Sequence, residues 1–143
     1  MKLGRLNHIG VATPSIADSI AYYREVMGAG DITEPFDLPE QLVKVCFVNT
    51  PTDSGMSGTQ IELIEPYDES SPINGFLAKN PLGGQHHVCY EVADIEEARA
   101  WFEGLGKRIL GPTRIGAHGT PIFFLHPKDM MGQLTEIMET PQH

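Results

Sequence analysis

Two histidines and two glutamates stand at matching places in a duplicated sequence, and together they have the makings of a metal site. His8 lies in the stretch Asn7-His8-Ile9-Gly10-Val11-Ala12 and His87 in Gln85-His86-His87-Val88-Cys89, an offset of 79 positions. That offset holds without a gap through Ile16 on Ile95, Asp18 on Glu97, Ala21 on Ala100, Tyr22 on Trp101 and Tyr23 on Phe102. Glu62 and Glu136 belong to a second matched pair, residues 58–64 over 132–138, at an offset of 74. A self-similar chain of this kind builds the same supersecondary unit twice, each copy adding the same residues to a shared site. Two imidazoles and two carboxylates suit a divalent first-row ion of intermediate hardness, such as cobalt, zinc, manganese or nickel. Four protein ligands on an octahedral ion leave two positions for water or substrate, which is a catalytic arrangement and not a closed structural one. Taken singly, each histidine could be a hydrogen-bonded neighbour and each glutamate a solvent-facing strand residue. Four such residues at corresponding places favour the metal.

The elements that must position these residues repeat too. Residues 6–12 carry strong β-formers and stop before Pro14, so they read as a strand. A helix follows, with Ser15 and Asp18 resembling a capping box and Ile16, Ile20, Tyr23 and Met27 at helical spacing, until Gly28 or Gly30 ends it. Residues 32–42 contain Pro35 and Pro39 and read as an irregular strand leading into a loop. Strands are expected over 43–48 and 59–64, joined by a hairpin loop over 51–58, with Ile61 and Leu63 on one face and Gln60, Glu62 and Ile64 on the other. Ser71-Pro72 opens a short apolar helix through Ile73, Phe76 and Leu77. The second copy gives a strand from Gln85, then a helix from Asp94 through Ile95, Ala98, Phe102 and Leu105 to Gly106. Strands follow near 108–110, over 121–126 and over 133–138, with a loop at 115–119. The reading is therefore α+β: one domain over 1–143, made of a βαβββ module at 5–65, a connector at 66–84 with its short helix, and a second βαβββ module at 85–139. Related by a pseudo-twofold axis, the two would form a curved mixed sheet around the metal.

Bulk composition narrows the partners. A formal net charge of -9 argues against nucleic acid, whose phosphates seek a basic face. No apolar run is long enough to span a membrane, and the N-terminus lacks the apolar core of a signal peptide, so cytoplasmic residence is expected. Cys46 and Cys89 have neither metal-finger nor thioredoxin spacing and read as small core residues in a reducing compartment. His86 points to the opposite face of its strand from His87. His118 and His126 fall in a loop and at a strand end, and His143 is terminal.

The chain resembles the vicinal oxygen chelate superfamily, and within it the methylmalonyl-CoA epimerases. Besides the ligand strands, the resemblance is carried by Leu38-Pro39-Glu40, Ser71-Pro72-Ile73, Phe76-Leu77-Ala78-Lys79-Asn80, Gly84-Gln85-His86-His87, Ile115-Gly116-Ala117-His118-Gly119 and Phe124-Leu125-His126-Pro127-Lys128-Asp129. It implies metal ligation by His8, Glu62, His87 and Glu136, with one divalent ion per chain, cobalt foremost. It also implies an acyl-CoA substrate, an enolate formed by removal of the C2 proton, and a homodimer. Glu136 is the expected base on one face; Glu40, His118 or an ordered water serves the other, and Lys79, Arg114 and Lys128 are candidates for the coenzyme A phosphates. Val45 stands where some relatives carry a second catalytic glutamate, and a valine cannot move protons. A lactoylglutathione lyase would use the same four ligands, and a metal-free sequestering protein could share the fold. An extradiol dioxygenase fits less well, because its iron takes two histidines and one carboxylate.

Overall fold

The computed structural model describes residues 1–53 and 58–142; residues 54–57 of the hairpin loop expected at 51–58, and His143, lie outside them. Contacts divide the chain into two units, one formed by residues 8–86 and the other by residues 1–7 with 87–143.

In the unit of residues 8–86, β1 (Leu6–Ala12) precedes helix α1 (Ile16–Glu25), and β2 (Phe36–Leu38), β3 (Val43–Asn49) and β4 (Gln60–Pro66) follow. The strands lie in the order β2-β3-β4-β1, antiparallel except that β1 and β4 run parallel. A parallel pair needs a long crossover between its members, and α1 with β2 and β3 supplies it. Ser15 starts α1 as expected, its hydroxyl accepting the Asp18 N–H at 3.1 Å. Ile16, Ile20 and Tyr23 then pack against Cys46 and Val48 of β3 and Ile61 and Leu63 of β4. Burial raises the Tyr23 hydroxyl and the Cys46 thiol above their usual pKa values, with Tyr22 adding to the first and Glu34 to the second. Met27 is not part of the helix: α1 closes earlier, with Gly28 in the left-handed region at φ 68° and the Ala29 N–H returning to the Tyr23 carbonyl. The short β2 pairs with β3 through Phe36 opposite Val45. Beyond β4, helix α2 (Ile73–Lys79) occupies the expected connector.

The second unit repeats the plan with β5 (Gly84–Val92), α3 (Ile95–Gly104), β6 (Ile109–Ile115), β7 (Pro121–Leu125) and β8 (Thr135–Glu139). Its strand order, β5-β8-β7-β6, mirrors the first, with β5 and β8 parallel. Asp94 caps α3 by accepting the Glu96 and Glu97 N–H groups. Ile95, Ala98 and Phe102 meet Val92, Phe123, Leu125 and Ile137 in the core. Leu105 lies past the helix end and is exposed. Strand β6 runs to Ile115, further than the expected 108–110, with its register interrupted between Leu110 and Arg114, where Gly111 takes φ 83°. Strand β8 begins at Thr135, so Gln133 and Leu134 precede it.

This second unit also holds a buried carboxylate. Glu91, on β5, accepts hydrogen bonds from Arg5 Nε at 2.6 Å and Asn7 Nδ2 at 2.9 Å. Burial alone would raise its pKa, but the bonds from Asn7 and Arg5 and the guanidinium charge outweigh that and hold it below the usual value.

Candidate metal centre

Strand pairing explains how one histidine and one glutamate meet in each unit. In the first, Gly10 of β1 lies opposite Glu62 of β4. In the second, Cys89 of β5 lies opposite Glu136 of β8. Gly10 follows His8 by two positions and Cys89 follows His87 by two, so alternation puts each histidine on the same face as its glutamate. The antiparallel neighbours match as well: Phe47 is opposite Glu62 and Phe124 opposite Glu136.

Side chains complete the pairs. His8 Nε2 lies 3.6 Å from Glu62 Oε2, and His87 Nε2 lies 3.2 Å from Glu136 Oε1. His8 is 0% exposed, Glu62 6%, His87 6% and Glu136 5%, which removes the reading of either glutamate as a solvent-facing strand residue. Phe124 packs edge-on against the His87 ring at 5.4 Å. From the sequence, Phe124 enters only within the motif Phe124-Leu125-His126-Pro127-Lys128-Asp129, and Phe47 has no part at all.

The spacing suits ligation. Two donors each about 2.1 Å from one ion lie about 3.0 Å apart at a right angle and about 3.4 Å apart at the tetrahedral angle. The observed separations of 3.2 and 3.6 Å bracket the second value, so either pair can offer a nitrogen and an oxygen to a common cation with little rearrangement. Buried carboxylates also need a cationic or hydrogen-bonding partner to stay ionised, and a divalent ion meets that need.

The other candidates are spread out. Glu40 is exposed, in a 3-10 turn over Pro39–Gln41 that leads into β3. His118 is half-buried in the turn between β6 and β7. Lys79 ends α2, Arg114 lies on β6 opposite Ile122, and Lys128 sits in a 3-10 turn past the end of β7; all three are exposed. The His126 ring accepts the Lys128 N–H in that turn, and Asp129 is locked to Arg108 by three hydrogen bonds, so the Leu-His-Pro-Lys-Asp motif shapes its own loop. The His86 ring stacks edge-on against Phe76 at 5.3 Å, in keeping with a structural part. Val45 is 1% exposed and opposes Ile64 and Phe36, an apolar setting with nothing to titrate.

The profile of the Glyoxalase/Bleomycin resistance protein/Dioxygenase superfamily matches residues 7–124. The chain belongs to this superfamily. It is 47% identical over 137 residues to the ethylmalonyl-CoA/methylmalonyl-CoA epimerase of Cereibacter sphaeroides, covering 94% of this chain and 97% of that one. It is 46% identical to the mitochondrial methylmalonyl-CoA epimerase of Dictyostelium discoideum over 96% of this chain and 79% of that one. Among solved structures, a variant of the Streptomyces coelicolor methylmalonyl-CoA epimerase in complex with 2-nitronate-propionyl-CoA superposes with a TM-score of 0.87 at 32% identity, covering 99% of this chain and 100% of that one. A methylmalonyl-CoA epimerase in complex with methylmalonyl-CoA and NH4+ gives a TM-score of 0.85 at 33% identity over 96% of this chain and 95% of that one. The family and fold implied by the sequence motifs are thus borne out: two βαβββ modules in the vicinal oxygen chelate fold. Among the described residues, no helix is long and apolar enough to cross a membrane.

Proposed function

We propose that this protein is a metal-dependent methylmalonyl-CoA epimerase, interconverting the (R) and (S) forms by removing and returning the proton at C2. The observation that carries the reading is the buried histidine–glutamate pair occurring twice, in one register, in a chain whose relatives are epimerases. His8, Glu62, His87 and Glu136 would hold one divalent ion, cobalt being the first choice and zinc, manganese or nickel the others. Such a cation, when bound, acts as a Lewis acid for the negative charge that builds on the thioester oxygen as the proton leaves.

The chain's own residues do the rest. Glu136 takes the proton on one face of C2, its carboxylate being the only basic group needed there. Delivery to the opposite face falls to Glu40, His118 or an ordered water, since Val45 supplies no titratable group. Phe124, packed edge-on against His87, would help to keep bulk water from a substrate held at the ion, and exclusion of water strengthens electrostatic contacts. Coenzyme A carries phosphate at both its pyrophosphate and its ribose. Cations on separate elements, Lys79, Arg114 and Lys128, therefore suit it better than one tight cluster. A cytoplasmic homodimer completes the proposal.

The test is exchange of the C2 proton of methylmalonyl-CoA in heavy water, with ethylmalonyl-CoA and the methylglyoxal–glutathione hemithioacetal assayed alongside. Metal content is measured before and after chelation. Expected are about one divalent ion per chain, loss of exchange on chelation and its return when cobalt is added. Full activity after complete metal removal would overturn the reading, and turnover of the hemithioacetal alone would make the protein a lactoylglutathione lyase.

A further inference from the structure

The repeat carries one more pair of acids, and neither is a ligand candidate. Glu65 follows Glu62 by three positions and Glu139 follows Glu136 by three, so both keep the offset of 74. An odd step along a strand reverses the face. While Glu62 and Glu136 point one way, Glu65 and Glu139 point the other, toward the helix of their own unit. There Glu65 Oε1 accepts the N–H of Ile16 at 2.8 Å, and Glu139 Oε1 accepts the N–H of Ile95 at 3.1 Å.

Ile16 and Ile95 are the first residues of α1 and α3. The first N–H groups of a helix have no partner within it, and the dipole there favours negative charge. Ser15 and Asp94 meet part of that need locally, accepting the N–H of Asp18 and those of Glu96 and Glu97 respectively. The first N–H is left to the distant glutamate. Each acid is 49 or 44 residues from its donor, so the bond serves as a tether from the ligand-bearing strand to the helix as well as a cap. In the first unit Lys44 also approaches Glu65, at 3.6 Å. Lys44 lies opposite Glu65 on β3, whereas the pairing of β7 with β8 runs only from Ile122 opposite Met138 to Leu125 opposite Thr135, so the lysine is not the part that repeats.

We infer that Glu65 and Glu139 are positioning residues for the metal centre, each fixing the height of its strand against a helix N-terminus so that Glu62 or Glu136 meets its histidine. The inference rests on the proposed metal site. Glu62 and Glu136 stand three residues from the tether along a strand, about 10 Å, and a slip of the strand end moves them relative to β1 or β5.

The structure supplies its own control. Ser15→Ala and Asp94→Ala remove caps from the same two helix ends without touching the strands. Cobalt is titrated into wild-type protein, Glu65→Ala, Glu139→Ala, Ser15→Ala and Asp94→Ala in competition with a chromophoric chelator, and the visible cobalt bands and thermal midpoint are recorded for each. Loss of a tether is expected to weaken cobalt binding about tenfold, as for other partners that orient ligands, and to alter the cobalt bands. The cap variants should lower the thermal midpoint while leaving cobalt affinity within about twofold. Glu65→Gln and Glu139→Gln keep an acceptor oxygen and should restore most of the affinity; should the alanine variants fail to fold, Glu65→Asp and Glu139→Asp, one methylene too short to reach the helix N–H, take their place and should show the same loss. Equal affinity losses in tether and cap variants would overturn the inference while leaving the metal site intact. A wild type that takes up no cobalt would instead remove the metal site and this inference with it.

Discussion

Glu136 is asked both to hold the cation and to take a proton, whereas Glu62 is asked only to hold it, and the duplicated register makes the two separable. Glutamine at either position keeps the volume and one acceptor oxygen, so the contacts to His87 at 3.2 Å and to His8 at 3.6 Å can persist. Folding stability should change by no more than about 1 kcal/mol in either case. Both substitutions remove one negative charge from the donor set and should weaken cation binding alike. Only Glu136→Gln removes a base, which is worth about 100- to 10,000-fold in rate, or about 3 to 5 kcal/mol of barrier. The assay is loss of the C2 proton signal of methylmalonyl-CoA in heavy water, followed by proton magnetic resonance at saturating cobalt, with bound metal measured for each sample. With the epimer whose C2 proton faces Glu136, assayed apart from the other, Glu136→Gln is expected to exchange at least about a hundredfold more slowly than Glu62→Gln. Equal rates in the two variants would show that Glu136 is a ligand and nothing more.

Two further outcomes concern the fold around the site. Because its neighbours hold Glu91 below its ordinary value of 4.5, its contribution to stability should be complete above about pH 4.5 and fall away as pH drops through the depressed folded value. Urea unfolding from pH 7 to pH 3 should show this loss, and Glu91→Gln, lower in stability at neutral pH by about 1 to 3 kcal/mol, should show a flatter profile. Phe123 is fully buried, with Phe102 at 6.2 Å and the Arg99 guanidinium 5.7 Å from its ring. Phe123→Ala should cost about 3 to 5 kcal/mol, read as a lowered urea midpoint.

Much of this was legible in the sequence because the chain says it twice. The offsets of 79 and 74 alone identify both strands that carry each histidine–glutamate pair. Where periodicity alone set the boundaries, the reading ran too far, and it did so at corresponding helix ends. Met27 and Leu105 keep the apolar rhythm, yet the helices have closed at Glu25 and Gly104, and the chain then turns through Gly28 and Gly106, both at positive φ. A hydrophobic side chain after a helix is compatible with the rhythm of one inside it; only the backbone hydrogen bonds tell them apart. The irregular strand expected within 32–42 is there as β2, but its bounds were blurred for a different reason, since Phe36–Leu38 sits between prolines and owes its conformation to pairing with β3. The burial of Glu62 and Glu136 could not be read from alternation either, because a face that meets a cation and one that meets water look the same in a sequence. Glu65 and Glu139 were present in the repeat all along, but a carboxylate that reaches a helix end 49 or 44 residues away leaves no local signature.

The segment before His8 has a consequence for how the chain reaches its native state. Residues 1–7 belong with residues 87–143, and Arg5 meets Glu91 across a separation of 86 positions. Closing such a loop costs about 4 kcal/mol in chain entropy from the logarithmic term alone, and contacts of this span slow folding. Residues 1–7 are made well before residues 87–143 and must wait for some of them, and so this half cannot mature from residues 87–143 alone. Anything that obstructs residues 1–7 should therefore disturb the unit they share with residues 87–143 first.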